Sequence, residues 1–393
     1  MSEDSIVIVA AKRTPIGAFQ GALAPLAGPR LGAAAARAAL DASGLAPEEL
    51  EEVVMGCVLS AGLGQAPARQ AALGAGVPVQ VPATTVNKMC GSGLKAVMIA
   101  ADQIRAGAID CALAGGLESM SNAPYLLPKA RSGYRMGHGE VLDHMFFDGL
   151  QSPFDGELMG SFAEATARER GFTRAAQDAF ATESVARALA ALASGAFAAE
   201  TVPVTVTARK TAFVVDADET PRTCDVSKIP ALRPAFAADG TVTAASSSSI
   251  SDGAAALILM RESLAQRRGL TALARIRGYA SHAQEPARFT TAPSAAIAKT
   301  LARVGWAARD VDLYEINEAF AVVTLAAERD LDLDHARVNV NGGACALGHP
   351  IGATGARILV TLVHALRHRG LERGVAALCI GGGEAVALAV EIP

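Results

Sequence analysis

The stretch that decides the fold is TVNKMCGSGLKAVMIA, residues 85–100, whose pattern returns near the end of the chain. In the first copy, a Val-Asn pair precedes a glycine-rich turn and an apolar helical pattern, and CALAGGLES (111–119) follows. In the second copy, Val-Asn again precedes a glycine-rich turn and a helical pattern, and LCIGGGEAV (378–386) follows. This similarity indicates an internal duplication of one α/β unit. Each copy places one reactive side chain before its helix, Cys90 in the first and His349 in the second.

Short apolar segments alternate with helical patterns around these copies. Residues 6–11 (IVIVAA) and 51–60 (EEVVMGCVLS) are typical of strands, and residues 31–42 (LGAAAARAALDA) are typical of a helix. A second helical pattern covers 173–193, and alternating valines at 202–207 (VPVTVT) predict a half-buried strand. The alternation of strands and helices predicts a layered α/β fold.

The middle of the chain interrupts this alternation. Residues 122–157 are rich in glycine, proline, methionine and histidine and have no clear period. Loops of this length are usually functional or lie at an interface. We therefore predict an N-terminal half at 1–120 that resumes near 251–270, an inserted loop domain at 121–250, and a C-terminal half at 271–393.

Composition and charge exclude several classes of function. Of the 393 residues, 51% are hydrophobic and 19% are charged, which is typical of globular proteins. A net charge of −4 argues against nucleic acid as the main partner. No apolar run is long enough for a membrane-spanning helix, and the first residues lack the features of a secretory signal. The six scattered cysteines form no CxxC pair, so we expect free thiols in a cytoplasmic protein.

Cys90 is the first candidate for chemistry because it lies just before a helical pattern. Helix N-terminal N–H groups and the macrodipole favour a thiolate there, which predicts a lowered thiol pKa. Gly91 and Gly93 leave room for a bulky electrophile. The alternative is a buried structural cysteine, the commoner role of an isolated cysteine.

The run GSGLKA also fits the loose dinucleotide-binding pattern GxGxxA. This fit gives a rival function, a nicotinamide-dependent oxidoreductase with Asp110 as a candidate ribose ligand. The match is weak, because TTVNKM is a poor buried strand and because this pattern normally opens the first βα unit of a chain.

His349 is the second candidate, and Pro350 after it disfavours helical geometry at the histidine. Its imidazole can therefore point away from the chain and accept a proton from a thiol. Cys345 and His349 are spaced like metal ligands. The same is true of His364 and His368, but neither pair has an evident third ligand, and we expect no metal site.

Two further stretches bring polar groups into apolar surroundings. In ALCIGGGEAVALAV (377–390), Cys379 precedes three glycines whose N–H groups suit an oxyanion, and a second thiol there could move a proton at a carbon centre. The alternative for Cys379 is core packing. In YEINEAFA (314–321), Asn317 is either a helix cap or a residue that orients a water molecule or an imidazole.

Together these motifs resemble the thiolase family. The resemblance spans nearly the whole chain and rests on VNKMCGSGLKAV, NEAFA, NGGACALGHPIGATGARI and CIGGGEA, supported by RTPIGAFQG, GGLESMS and SDGAAA. It implies the thiolase fold, in which two duplicated βαβαβαββ halves form five layers (αβαβα) with a loop domain inserted in the first half. It also implies a homotetramer, a dimer of dimers joined through the covering loop.

The resemblance implies an acyltransferase of the acetyl-CoA C-acetyltransferase type. Two acetyl-CoA molecules would condense reversibly to acetoacetyl-CoA and CoA. Cys90 would be the acetylated nucleophile, His349 would activate it and help to hold the thioester oxygen, and Cys379 would be the acid and base at the α-carbon. Asn317 would hold a water molecule in one oxyanion hole, and the backbone N–H groups of Cys90 and Gly381 would form the other. No metal or organic cofactor is implied.

Weaker correspondences place further residues along the substrate groove: Met159, Arg222, Phe236, Ala244 and Ser248 beside CoA, and Phe289 and Phe320 near the acyl end. Some positions depart from the family pattern, namely Leu158, Ala245, Ser246, Phe289 and Ala385. Leu158 puts the acyl-chain preference in doubt, whereas the bulky Phe289 favours four-carbon substrates. A degradative 3-ketoacyl-CoA thiolase with longer substrates is therefore the near alternative.

Overall fold

A computed structural model describes residues 4–208 and 211–393. The first part of the chain alternates strands and helices as the sequence predicts. In chain order its elements are β1 (Ile6–Arg13), β2 (Gly17–Ala18), α1 (Gly28–Ser43), β3 (Glu52–Gly56), α2 (Pro67–Gly74), β4 (Ala83–Val86), α3 (Ser92–Ala106) and β5 (Cys111–Ser119).

The inserted region contains short strands, two longer helices and much irregular chain, before the N-terminal half resumes. Its elements are β6 (Tyr125–Leu126), β7 (Leu142–Asp143), α4 (Met159–Arg170), α5 (Arg174–Ser194), β8 (Val204–Ala208) and β9 (Thr211–Val215), followed by β10 (Ser251–Arg261) and α6 (Glu262–Arg267). The predicted helix at 173–193 is confirmed as α5. Val204 and Val206 are buried on β8, as their alternation predicts.

The C-terminal half repeats the order of the N-terminal half. Its elements are β11 (Ala274–Ala283), α7 (Ala292–Val304), β12 (Leu313–Ile316), α8 (Ala321–Leu331), α9 (Ala344–Leu347), α10 (Ile351–Arg369), β13 (Arg373–Ile380) and β14 (Glu384–Glu391). Within the described ranges, no helix has the length and apolar character needed to cross a membrane.

The large mixed sheet consists of two half-sheets with equivalent strand orders, β4-β3-β5-β10-β1 and β12-β13-β14-β11, and β2 pairs with β10. The half-sheets join where β1 pairs with β11 in antiparallel fashion, with Ile6 opposite Ile276. In the second copy, the strand equivalent to β4 is reduced to one parallel bridge between Tyr314 and Val338. The predicted internal duplication is therefore confirmed, with this one strand almost lost.

Helices α3 and α10 lie between the two half-sheets and form the middle layer. Their apolar side chains, such as Val97 and Leu359, share one large core with both half-sheets. Helices α1 and α2 cover the outer face of the first half-sheet, and α7 and α8 cover the outer face of the second. The predicted five-layer αβαβα arrangement is thus confirmed.

The N-terminal ends of α3 and α10 approach closely because glycines line the contact. A Cβ atom added to Gly355 would lie 2.4 Å from the backbone nitrogen of Leu94, and one added to Gly93 would lie 2.7 Å from the backbone of α10. Cys90 and His349 each stand two residues before their helix begins. The close approach of the two helix starts therefore brings both reactive side chains to one place.

We predict that Gly355→Ala destabilises the protein by roughly 1–3 kcal/mol, because the added methyl group would collide with the backbone of α3 and push the middle layer apart. The midpoint of urea unfolding measures this effect. Arg369→Ala, at the exposed end of the same helix, should change the unfolding free energy by less than about 0.5 kcal/mol. Equal midpoints for Gly355→Ala and wild type would show that the helices do not need this contact.

Candidate active site

An apolar groove of about 880 Å³, measured to its open mouth, lies where the loop domain meets the starts of α3 and α10. Cys90, His349 and Gly381 all line it, so the structure brings groups from both halves together. The predicted substrate-groove residues that also line it are Met159, Phe236, Ser248, Phe289 and Phe320. The apolar lining of this groove suits a small acyl group.

A tight turn presents Cys90 at the floor of the groove. Ser92 fixes this turn, because its hydroxyl oxygen accepts a hydrogen bond from the Lys88 amide at 2.8 Å and donates to the Met89 carbonyl at 2.6 Å. Met89 has a φ of +47°, a left-handed conformation that is uncommon for residues other than glycine. Such strain is often found beside functional groups. The half-buried Cys90 is therefore held in a defined position, packed against the edge of the core and open to the groove.

Burial raises the pKa of Cys90 to about 11, although the N–H groups of Gly381 and of Cys90 itself act in the opposite direction; the charge of Glu118 raises the pKa slightly further. The prediction of a lowered pKa at the helix start was therefore wrong, because desolvation of the thiolate outweighs these favourable dipoles. At neutral pH, on the order of one Cys90 in ten thousand is ionised. A base must remove the proton when substrate arrives.

His349 has the features of such a base. Its Nδ1 lies 2.6 Å from Oγ1 of Thr354, and the Thr354 hydroxyl donates its hydrogen to the Pro350 carbonyl at 2.9 Å. The hydroxyl can therefore only accept from His349, which places the ring hydrogen on Nδ1 and leaves a lone pair on Nε2. Nε2 is buried and has no hydrogen-bond partner among the described residues. Burial lowers the pKa of His349 to about 3, with a contribution from the Arg357 charge, so the ring is neutral at rest.

We predict that Thr354→Val lowers kcat for acetyl transfer about tenfold or more, because the imidazole loses the acceptor that fixes its tautomer. Thr354→Ser should retain most activity. Thr300→Val, which removes a buried hydroxyl on α7, is the matched control and should leave kcat unchanged. Steady-state rates between pH 6 and about 10 measure the effect. If Thr354→Val retains the wild-type pH profile and kcat, the proposed tautomer control is incorrect.

Cys379 is fully buried behind the groove rather than on its wall. It belongs to an apolar cluster that also contains Phe289 and Phe320. Burial raises the pKa of Cys379, and a negative charge on Cys90 raises it further, so the two sulfur atoms lie within electrostatic range of each other. The structure therefore places two thiols and one imidazole together, and Cys379 is protonated at rest.

The Asn317 side chain has both its oxygen and its nitrogen buried without a partner in the described part of the chain. Buried amides are almost always hydrogen-bonded, so this side chain has the capacity to hold a water molecule or a ligand oxygen. Helix α8 begins at Ala321 and is preceded by Phe320 at its N-cap. Asn317 is therefore not the cap of that helix, and the capping alternative was wrong.

Arg222 and Ala244 do not line the groove. Both are exposed, and Arg222 borders a separate surface depression beside Leu189 and Asp216. Contact of these two residues with CoA would have to involve the outer end of the molecule, and it stays a prediction.

The departures from the family pattern lie close to the groove. Leu158 contributes an apolar surface to its wall. Ser246 is buried and holds a tight turn, since its Oγ accepts a hydrogen bond from the Thr243 amide at 2.8 Å. Ala385 lies directly opposite Cys379 in the β13–β14 pair. The extra methyl group of Ala385 therefore adds to the packing around the second thiol.

The glycines of the dinucleotide pattern pack against protein and leave no room for a pyrophosphate on their backbone. A Cβ atom added to Gly91 would lie 2.4 Å from the Ile380 side chain, and one added to Gly93 would lie 2.7 Å from the backbone nitrogen of Ala356. Asp110 lies beyond the other end of α3 and accepts a hydrogen bond from Arg261 at 2.5 Å. The oxidoreductase alternative was therefore wrong.

The histidine and cysteine pairs that could suggest a metal have other partners. His364 Nε2 lies 2.9 Å from the Ala11 carbonyl oxygen, and Cys345 Sγ lies 3.7 Å from the Glu318 carbonyl oxygen. In residues 4–208 and 211–393, no group of three or more His, Cys, Asp or Glu side chains is placed to hold a metal ion.

Glu118 was not predicted from the sequence, although it holds two segments of the site together. Its buried carboxylate accepts hydrogen bonds from the amides of Val58 (3.0 Å), Leu59 (3.1 Å) and Gly352 (2.9 Å), so it ties the chain after β3 to the start of α10. These bonds also explain why β3 ends at Gly56, short of the predicted 51–60 strand. Burial raises the pKa of Glu118 to about 7. One acidic residue near the end of the fully buried strand β5 was the available signal.

Comparisons with known proteins agree with this geometry. Residues 6–263 match a family model described as "Thiolase, N-terminal domain", and residues 270–392 match "Thiolase, C-terminal domain". Proteins named acetyl-CoA acetyltransferase from Escherichia coli and Pseudomonas aeruginosa are 52% and 51% identical, and each alignment covers 98% of both chains. The crystal structure of the Bacillus anthracis acetyl-CoA acetyltransferase superposes with a TM-score of 0.97 at 43% identity, covering 100% of this chain and 99% of that one.

Proposed function

The chain belongs to the thiolase family, and from that premise we propose that it is an acetyl-CoA C-acetyltransferase. It condenses two acetyl-CoA molecules reversibly to acetoacetyl-CoA and CoA. The observation that carries this proposal is the convergence of Cys90 and His349 on one groove, with Cys379 directly behind it. Relatives about half identical over nearly the full chain carry the same name.

In the first half-reaction, Nε2 of His349 takes the proton from Cys90, and the sulfur attacks the carbonyl carbon of acetyl-CoA. The backbone N–H groups of Cys90 and Gly381 donate to the resulting oxyanion; one such donor is typically worth about 3 kcal/mol. The C–S bond to CoA then breaks, and Cys379 protonates the departing sulfur. This half-reaction leaves acetyl-Cys90, free CoA and a Cys379 thiolate. Because one thioester replaces another, its free-energy change is close to zero.

In the second half-reaction, the Cys379 thiolate removes a proton from the methyl group of another acetyl-CoA. His349 and a water molecule held by Asn317 stabilise the enolate oxygen. The carbanion attacks the acetyl group on Cys90, acetoacetyl-CoA forms, and His349 returns its proton to the released Cys90 sulfur. Two thiols and one imidazole complete the cycle, so we propose that CoA thioesters act as substrates and that no resident cofactor takes part.

The inner end of the groove supports a preference for short acyl chains. Phe289 packs edge-on against Phe162 with ring centroids 6.2 Å apart, and Phe236 packs edge-on against Phe320 at 5.9 Å. Phe289 is almost fully buried, so this end cannot lengthen without moving an aromatic ring. We therefore propose acetoacetyl-CoA as the preferred substrate of thiolysis.

Thiolysis rates on acetoacetyl-CoA and on a C8 3-ketoacyl-CoA test both the activity and the chain length. The wild type should be active and should prefer acetoacetyl-CoA, and Phe289→Ala should shift the preference toward C8. Phe172→Ala, in the same apolar cluster but off the groove wall, is the control and should not. Absence of thiolysis would reject the activity, and a strong wild-type preference for C8 would favour the longer-chain alternative.

We also propose a homotetramer, a dimer of dimers joined through the loop domain, that acts in cytoplasmic lipid metabolism. Support comes from the large apolar side chains that residues 125–154 leave exposed: Tyr125, Leu127, Tyr134, Met136, Val141, Phe146, Phe147 and Phe154. Extended exposed apolar surface is typical of association sites.

All six cysteines are free thiols, which supports a reducing compartment. Sedimentation of the purified protein as a monomer would reject the tetramer.

A further inference from the structure

An ion pair joins the two turns that carry the oxyanion-hole amides. Nζ of Lys88 donates a hydrogen bond to Oε2 of Glu384. Lys88 lies two residues before Cys90 in the first half, and Glu384 lies three residues after Gly381 in the second half. The side chains are 25% and 35% exposed, so the pair is at the surface but not fully solvated.

The two turns depend on each other for their position. Cys90 and Gly381 line the same groove, and the N–H groups of both favour the Cys90 thiolate, although they belong to different halves of the duplication. Ile380 packs so closely on Gly91 that an added Cβ atom would lie 2.4 Å from its terminal carbon. Gly382 and Gly383 both have positive φ, and a glycine turn has little conformational stiffness of its own. The Ile380–Glu384 strand pair and the hydrogen bond from the Gln284 amide to the Gly383 carbonyl hold this turn on its own side, and contacts between the two turns tie it to the turn that carries Cys90.

We propose that Lys88 and Glu384 are positioning residues that hold the two amides in the geometry the oxyanion needs. This inference rests on the proposed acetyl-transfer function. Neither residue lines the groove, so they act through the turns and not on substrate. Because both side chains are partly exposed, salt screens their attraction. The oxyanion hole should therefore loosen as ionic strength rises.

Single substitutions at the pair test the proposal. Lys88→Met and Glu384→Gln should each lower kcat for acetyl transfer roughly five- to tenfold with little change in KM, because the amides contribute most in the transition state. Lys88→Arg should retain activity. The exchanged pair, Lys88→Glu with Glu384→Lys, should recover most of the loss. Wild-type kcat should fall between low salt and about 0.5 M salt, whereas kcat of Glu384→Gln should not.

A second readout does not require acetyl transfer. The Gly381 N–H group stabilises the Cys90 thiolate, so a loosened turn should slow alkylation of Cys90 by iodoacetamide at fixed pH by roughly threefold, as measured by peptide mapping. Asp330→Asn breaks the Arg170–Asp330 ion pair, which has similar exposure, and should change neither readout. Thermal midpoints of all variants should match the wild type.

The outcomes separate the positioning role of the Lys88–Glu384 ion pair, which we call the clamp, from the proposed function. An inactive wild type whose Cys90 alkylation still slows in both single variants would reject the proposed function and support the clamp. An active wild type would overturn the clamp if both single variants kept its kcat and alkylation rate. The clamp is also overturned if the exchanged pair is no better than the single variants, since charge complementarity would then be irrelevant.

Discussion

Cys90→Ala should lower acetyl transfer in both directions by at least roughly 10⁴-fold, the scale on which removal of a covalent nucleophile acts. The Cys90 sulfur forms the covalent intermediate, and Cys379 is not a substitute nucleophile because burial raises the pKa of its thiol and keeps it protonated at rest. The measurement is the initial rate of acetoacetyl-CoA thiolysis at saturating CoA, compared with wild type.

Cys224→Ala is the matched control for this variant. Cys224 is a free thiol that does not line the groove, so its removal should leave the rate within about twofold of wild type, as is usual for substitutions away from a site. If Cys90→Ala kept more than a tenth of the wild-type rate, a different group would have to accept the acetyl moiety, and the mechanism would be rejected.

Cys379→Ala should separate the two half-reactions. Condensation should fall by roughly 10³-fold or more, because no base remains beside the α-carbon. Acetyl-Cys90 should still form, with water protonating the departing CoA more slowly, and it should accumulate. Intact-mass analysis measures the acetyl-enzyme, and exchange of deuterium from solvent into the methyl group of acetyl-CoA measures proton removal.

Cys345→Ala controls for the loss of a buried sulfur near the site. Cys345 is also buried, but its thiol donates a hydrogen bond to the Glu318 carbonyl oxygen, so methyl exchange should continue in this variant. Normal exchange in Cys379→Ala would show that another group removes the proton, and the role proposed for the second thiol would be abandoned.

The sequence was most informative about structural features that depend on local sequence motifs. Two similar motifs, each with a reactive residue before a helix, predicted the internal duplication, whereas the five layers and the pairing of Cys90 with His349 were implied by the resemblance to the thiolase family. The prediction succeeds because strand–turn–helix units bury their helices in only a few ways. The strand of the second copy that is equivalent to β4 was expected from the βαβαβαββ unit, but the structure reduces it to a single bridge at Val338, and the composition there gives no signature of this loss.

The pKa of Cys90 could not be predicted from its position before a helix. The helix start favours a thiolate, but the surrounding groove removes water, and burial is a property of the assembled fold. The same limit applies to the clamp, because Lys88 and Glu384 are 296 residues apart in the chain. Thr354 could have been identified from the sequence more easily, since it lies on the first turn of the helix that follows His349.

Location of the acetyl group after the protein is mixed with acetyl-CoA alone tests the central claim most directly. Rapid quenching, intact-mass measurement and peptide mapping should find one acetyl group per chain on Cys90, and addition of CoA should remove it. An unmodified chain, or an acetyl group on any other residue, would contradict the account.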